Sequence, residues 1–176
     1  QQLDGLRRLV GDAGIAGTEP EFADQTFGER LDLELGGVQI ALRHAGAAHT
    51  PGDSFVWLPQ EQVVFSGDIV YHDRLLGVGS QSDSASWLAV FAEIEALNPV
   101  VVVPGHGRPG PLAQSRRETG DYLRLLRQRV GEFLEQGGTL DQISKVDQSD
   151  FKQLAVFDQI AGRNAHRVFQ EMEFEF

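Results

Sequence analysis

The sequence contains no cysteine among its 176 residues, which excludes disulfides, thiolate metal ligands and cysteine nucleophiles. No run approaches the roughly 18 apolar residues of a membrane-spanning helix, so no membrane partner is expected. Basic residues are few: 15 lysines and arginines stand against 26 aspartates and glutamates. The resulting net charge of −11 argues against nucleic acid as a partner, because binding to its backbone requires a basic surface.

Methionine is scarce as well. The chain begins Gln1-Gln2, and its one methionine is Met172. Because translation starts at methionine, we expect that a segment upstream of Gln1 has been removed, and the compartment stays open between cytoplasm and periplasm. The length suits one domain spanning residues 1–176.

Strand and helix patterns alternate along the chain, which predicts an α/β fold with a sheet covered by helices. Residues 31–35 and 38–42 each alternate apolar and polar side chains around Gly36-Gly37, a β-hairpin pattern. Further strands are predicted at 54–58, 63–65 and 100–103, and helices at 1–10, from Ser84 or Ser86 to 97, at 115–134 and at 160–172.

The run from Val100 to Val103 predicts a strand buried on both faces, because four β-branched residues follow one another. Pro104 cannot donate to a ladder and is expected to end this strand. Gly105 and Gly107 then flank His106, so the imidazole is expected at the rim of the sheet.

Two earlier segments follow a similar pattern. The strand at 39–43 leads through a short loop to His49, and the strand at 63–65 leads through Ser66-Gly67 to Asp68. Within the segment 49–53, Asp53 is expected to orient an imidazole. Two imidazoles and a carboxylate suit zinc, iron or manganese, so His49, Asp68 and His106 together predict a metal site.

Each of these residues has an alternative interpretation when it is taken alone. His106 could cap a strand end, His49 could be an ordinary loop residue, and Asp68 could cap a helix or turn. The segment from Gly105 to Gly110 also matches G-x-G-x-x-G, but Pro109 opposes the helix that a dinucleotide site requires.

The segments His-Thr-Pro-Gly-Asp at 49–53, Phe-Ser-Gly-Asp at 65–68 and Pro-Gly-His-Gly at 104–107 resemble successive motifs of the metallo-β-lactamase-fold hydrolases. The resemblance implies an αββα sandwich with metal ions at one edge of its two sheets. It also implies that His49 binds a first zinc, that Asp68 bridges two zincs and that His106 binds the second.

The family's leading motif, H-x-H-x-D-H, is absent. The five histidines are His44, His49, His72, His106 and His166, and no two are separated by one residue. We therefore interpret the chain as the C-terminal portion of a longer, N-terminally truncated hydrolase, with a diverged member as the alternative. His44 is expected at a rim, and His72 could line the pocket.

The resemblance implies a metal-dependent hydrolase in which metal-bound hydroxide attacks a small ester, thioester or lactam-like substrate. Asp68 would be catalytic by bridging the metals or orienting the nucleophile. The chain alone is expected to be inactive for lack of the upstream motif. One alternative is a non-catalytic module that self-associates or pairs with the missing N-terminal segment; another is a mono-iron oxygenase of the same fold.

Overall fold

Five strands form a sheet in the order β1-β2-β3-β4-β5 in the computed structural model, which describes residues 2–174. The strands are β1 (Arg30–Leu35), β2 (Val38–Arg43), β3 (Phe55–Leu58), β4 (Val63–Tyr71) and β5 (Val101–His106). The helices are α1 (Gln2–Ile15), α2 (Ser84–Ala96), α3 (Leu112–Ser115), α4 (Asp121–Glu135) and α5 (Phe157–Met172). A π-helical turn (Arg116–Gly120) joins α3 to α4, and 3₁₀ turns cover Leu140–Lys145 and Ser149–Phe151.

The sheet is antiparallel from β1 to β4, and β5 pairs parallel to β4. A parallel pair needs a crossover connection, and α2 provides it. Gly36-Gly37 joins β1 to β2, so the predicted hairpin and the predicted α/β class are confirmed.

The hydrophobic core lies between one face of this sheet and the helices. Trp57, Val64 and Val102 point into it from β3, β4 and β5. Trp87 and Phe91 of α2 are fully buried, and the Trp87 indole Nε1 donates a hydrogen bond of 2.8 Å to the Ile69 carbonyl. This bond fixes α2 against the strand that carries Asp68.

The opposite face of the sheet, which we call the open face, is apolar across every strand, and none of its residues is fully buried. The pairing register places them beside one another, since Leu33 faces Ile40, Leu42 faces Val56 and Phe65 faces Val103. The members of the open face are Leu31, Leu33, Leu35, Val38, Ile40, Leu42, Val56, Leu58, Val63, Phe65, Val101 and Val103.

The open face explains why the prediction of a valine strand buried on both faces is wrong. Val102 points into the core and is fully buried, but Val101 and Val103 lie in the open face and are half-buried. Val100 precedes the strand and is 60% exposed. A run of valines shows that both faces of a strand are apolar, but it does not show that other residues pack against both faces.

The predicted strand ends are also wrong. β5 continues through Pro104 to His106, and β4 continues past Phe65 to Tyr71. Pro104 lies opposite Gly67, where the register between the two strands shifts. Proline is tolerated at such an irregularity because the regular ladder already lacks a hydrogen bond there.

Helix α1 has little contact with the rest of the chain. Its backbone leaves the helical conformation at Gly11, where the predicted helix was expected to end. Its described side chains are exposed apart from a half-buried Ile15, and Leu9 is 83% exposed. Across residues 2–174 the structure contains no helix whose length and apolar character would allow it to cross a membrane.

Candidate functional site

The structure brings the three sequence-predicted site residues together around one carboxylate. His49 Nδ1 lies 3.7 Å from Asp68 Oδ2, and His106 Nε2 lies 3.6 Å from Asp68 Oδ1. The side chains of His49, Asp68 and His106 are 30%, 33% and 43% exposed. Asp68 therefore stands between two imidazoles, each approaching a different oxygen, in a place that solvent can reach.

Gly105 allows β5 to approach β4 closely enough to form this arrangement. A Cβ atom at position 105 would overlap Asp68 Oδ1 and the backbone of Gly67. Any larger residue would therefore have to displace the carboxylate or separate the two strands. The same glycine immediately precedes His106, so it places one ligand candidate beside another.

Tyr71 supports the site from the core side. Its ring stacks on His106 with centroids 4.9 Å apart. Burial, together with the charge of the neighbouring Asp68, raises the pKa of Tyr71, so the phenol keeps its proton beside the carboxylate. Thr119 binds both backbone groups of Tyr71, accepting from the amide at 3.0 Å and donating to the carbonyl at 2.8 Å.

His49 is held by its backbone and by one aromatic contact. Ser82 Oγ donates to the His49 carbonyl at 2.9 Å, and the Trp87 ring lies edge-on to the imidazole at 5.8 Å. Asp53, which was expected to orient an imidazole, contacts that of His44 through its backbone and not through its carboxylate. Its carboxylate accepts from the amide and hydroxyl of Thr50 at 2.9 and 2.5 Å, and its carbonyl accepts from His44 Nδ1 at 2.7 Å.

His72 does not line the site, contrary to the pocket interpretation, because it is fully buried. Its Nδ1 lies 2.9 Å from the Arg108 carbonyl, which can only accept, so the proton resides on Nδ1. Its Nε2 then accepts from Ser115 Oγ at 2.8 Å, and its backbone amide donates to the His106 carbonyl at 2.9 Å. His72 therefore holds the backbone on both sides of Gly107.

The loop after His106 is also held by an exposed ion pair. Arg108 Nε lies 3.0 Å from Asp73 Oδ2, and hydrogen bonds from Arg108 lower the pKa of Asp73. Gly107 adopts a φ of 92°, and a Cβ there would overlap the His72 carbonyl. The backbone conformation that presents His106 therefore requires glycine at position 107.

The side chains around Asp68 are of the chemical types that bind a divalent cation, but too few of them lie together to hold one. Imidazole nitrogen and carboxylate oxygen are ligands that zinc takes, and a catalytic zinc uses three of them from the protein. Within the part of the chain that the structure describes, no group of three or more such side chains lies close enough together to hold one ion. A complete site would need donors beyond His49, Asp68 and His106.

A family model for the metallo-beta-lactamase superfamily matches residues 3–106, which is more than half of the chain and includes all three site residues. The chain therefore belongs to the metallo-beta-lactamase superfamily.

Individual relatives agree with this assignment. The chain is 30% identical over 88 residues to the type 2 metallo-beta-lactamase of Bacteroides fragilis, a match covering 48% of this chain and 35% of the relative. The structure of a metallo-beta-lactamase from Pontibacter korlensis superposes with a TM-score of 0.54 at 23% identity, covering 69% of this chain and 62% of that one.

A second solved structure, a sec-alkylsulfatase from Pseudomonas sp., superposes with a TM-score of 0.64 at 18% identity, over 82% of this chain and 26% of that one. At these identities the two solved structures establish the fold alone. The chain spans about a third of the curated Bacteroides relative.

The sequence pattern did not reveal Tyr71 as a neighbour of the site. In a regular strand, residues 68 and 71 point to opposite faces, since side chains alternate. The register shift between Gly67 and Tyr71 changes this relation and lets both side chains approach His106. Nothing in the sequence of β4 marks the shift except Gly67 itself.

We predict that Gly105→Ala displaces Asp68 and destabilises the chain by about 1–3 kcal/mol, because the added methyl overlaps backbone as well as the carboxylate. Urea unfolding would measure the loss. Gly28→Ala is the matched control, since a Cβ at Gly28 meets no atom within 4 Å. Equal stability of the two variants would show that β5 does not pack against Asp68 as described.

Proposed function

We propose that this chain carries part of a metal-dependent hydrolytic centre acting on a small ester, thioester or lactam-like substrate. The observation that supports the proposal is the position of Asp68 between His49 and His106, at an exposed edge of a metallo-beta-lactamase sheet. Zinc is the expected metal, with two ions in a complete site, and iron or manganese are the alternatives.

The chain's own residues would have distinct roles. His49 and His106 would supply imidazole nitrogens as metal ligands. Asp68 would supply two carboxylate oxygens, one near His49 and one near His106. A zinc ion, when bound, supplies a Lewis acid and lowers the pKa of a water ligand towards about 7. Asp68 would orient the attacking water by accepting its hydrogen bond, while Tyr71 beside it would stay protonated.

The number of donors limits what the chain does alone. Three donors shared between two ions would leave each ion short of the three protein ligands that a catalytic zinc uses. We infer that further donors come from another segment of a longer polypeptide or from a second chain. Without them, the chain by itself would hold metal weakly and hydrolyse slowly or not at all.

We expect Asp68→Asn and His106→Ala each to weaken zinc binding by about tenfold or more, because each removes a group that the metal itself would contact, and loss of a ligand's neighbour alone commonly costs 10- to 100-fold. Calorimetric zinc titration measures this in the chain alone. In a preparation that hydrolyses a nitrophenyl ester, a thioester or a chromogenic lactam, both variants should lose activity while remaining folded.

The matched control is His166→Ala, which removes an exposed histidine of α5 and should leave zinc affinity unchanged. Unaltered zinc affinity and unaltered hydrolysis in either the Asp68 or the His106 variant would refute the proposed centre.

The open face supports a second candidate function, association with a second copy of this chain. In the β1–β2 hairpin the polar side chains, such as Asp32 and Gln39, lie on the helix side, and the apolar ones lie on the open face. The hairpin thus presents its hydrophobic surface away from the core described above. Sheets with such a surface pack face to face about 10 Å apart.

A second copy fits because it offers an identical uncharged face, so that a twofold contact would bury apolar surface on both sides. The five strands, spaced about 4.8 Å apart, make a face of roughly 400 Å², the size of the largest apolar patch on a typical monomer, which is often functional. Leu33 and Phe65 lie within it and are 43% and 44% exposed.

Sedimentation velocity should therefore show a dimer at micromolar concentrations, and Phe65→Ser should shift it towards monomer by placing a hydroxyl in the contact. Phe22→Ser is the matched control, because Phe22 is 85% exposed and lies before β1, outside the open face. A monomeric wild-type chain would contradict this candidate and would favour a segment of a longer polypeptide as the cover.

A further inference from the structure

One buried side chain of α5 holds the loop that connects β4 to α2 (residues 72–83). Asn164 is 1% exposed; its Oδ1 accepts from the Val78 amide at 2.9 Å, and its Nδ2 donates to the Leu76 carbonyl at 2.7 Å. The two bonds lie on either side of Gly77, so they fix the loop backbone around this glycine. Because Leu76 and Val78 are buried, their backbone groups would be left without partners if Asn164 were lost.

The partners at this position suit asparagine. A carbonyl can only accept and an amide N–H can only donate, so Leu76 and Val78 determine the orientation of the Asn164 side chain. Its Nδ2 also donates to Tyr122 Oη at 2.8 Å, and Tyr122 Oη donates to Gln148 Oε1 at 2.7 Å. An aspartate would lack the N–H donors, and a leucine would lack the acceptor as well.

The far end of the same loop holds the backbone of His49. The Gly79 amide donates to Ser82 Oγ at 2.8 Å, and Ser82 Oγ donates in turn to the His49 carbonyl at 2.9 Å. The Asp83 amide likewise donates to the Ala48 carbonyl at 3.1 Å. Ser82 is only 5% exposed. A series of buried contacts therefore runs from α5 through the loop to His49.

The hydrogen bonds behind His106 involve other residues. Thr119 binds the backbone of Tyr71, whose ring stacks on His106 with centroids 4.9 Å apart. The Tyr71 ring lies farther from the imidazole of His49, at 6.2 Å. The two imidazoles beside Asp68 are therefore supported separately, His49 from α5 and His106 from the π-helical turn.

We propose that Asn164 is a positioning residue for His49, acting through the loop and Ser82 to set the place of this imidazole relative to Asp68. The inference rests on the proposed hydrolytic function, which gives His49 its role as a metal ligand. His49 Nδ1 lies 3.7 Å from Asp68 Oδ2, and a metal site tolerates little change in the separation of its ligands. A shift of the loop moves the His49 backbone and turns the imidazole away from the carboxylate.

The first test needs no metal and follows the His49 ring protons by NMR in a chain with labelled histidines. Asn164→Leu keeps a similar branched shape but removes the hydrogen bonds of the side chain, and Ser82→Ala removes the hydroxyl that binds His49. We expect both variants to shift the His49 resonances at one fixed pH, because the imidazole moves relative to the Trp87 ring, which lies edge-on at 5.8 Å. The His106 resonances should stay in place.

Zinc titration then measures the consequence for the metal. Either variant should weaken zinc binding about tenfold, since loss of a group that orients a ligand commonly costs 10- to 100-fold. The double variant of Asn164→Leu and Ser82→Ala should bind no more weakly than the weaker single variant, because the two residues act in series. Losses that multiply would show that Asn164 does not act through Ser82 and would overturn the inference.

Thr119→Val is the matched control, because it also removes buried hydrogen bonds behind the site. It should shift the resonances of His106 rather than those of His49. Equal shifts of both histidines in Asn164→Leu and in Thr119→Val would indicate a general loss of structure and would contradict a specific role. Should Asn164→Leu fail to fold, Asn164→Ser replaces it, since the smaller side chain leaves room for water at the vacated groups. Unchanged His49 resonances in that variant would overturn the inference.

A catalytic readout separates failure of this inference from failure of the proposed function. In a preparation that hydrolyses a nitrophenyl ester, Asn164→Leu and Ser82→Ala should lower kcat more than they raise KM, because they displace a metal ligand and not a substrate contact. If no preparation hydrolyses the ester and no zinc binds, while the His49 resonances shift in both variants, the hydrolase proposal fails and the positioning role stands. A rise in KM at unchanged kcat would contradict the positioning role.

Discussion

The arrangement of the site depends on the close parallel pairing of β5 with β4. The pairing is possible because Gly105 has no side chain where Asp68 and the Gly67 backbone come nearest. With the strands at this separation, His106 reaches one oxygen of Asp68 and His49 reaches the other. A shift of even one ångström between the strands would separate a carboxylate from an imidazole, and such shifts commonly reduce activity by large factors.

The surroundings of this pair of strands keep it in place through buried polar contacts. Tyr71 packs on His106 and is tied to Thr119 of the π-helical turn, while His72 is tied to Ser115 at the end of α3. Each of these polar groups has a partner, as buried groups require if they are not to destabilise the fold. The helices beyond β5 therefore do more than cover the sheet: they position the residues behind Asp68 and His106.

The sequence predicted the hairpin and the strand–helix order, because both depend on local patterns that repeat along the chain. It also indicated that His49, Asp68 and His106 would lie near one another, since each was expected to follow an apolar strand. The burial of His72 was not predictable, because Ser115 lies 43 residues away in sequence.

The sequence pattern also did not predict that the open face lacks a packing partner among the described residues. Valines at 101 and 103 predict that this face is buried, but they do not show whether the residues that bury it belong to this chain or to another. A hydrophobic pattern indicates that a side chain favours burial and does not identify what packs against it. Metal affinity and oligomeric state are linked in the two proposals, since both the further donors and a cover for the open face would come from another segment or another chain.

The most direct test of the central claim is a zinc titration of the chain with its histidine side chains labelled and observed by NMR. We predict that the imidazole resonances of His49 and His106 respond together, while those of His44, His72 and His166 do not. A response confined to the latter three, or the absence of any response at His49 and His106, would contradict the claim that Asp68 and its two imidazoles form the core of a metal centre.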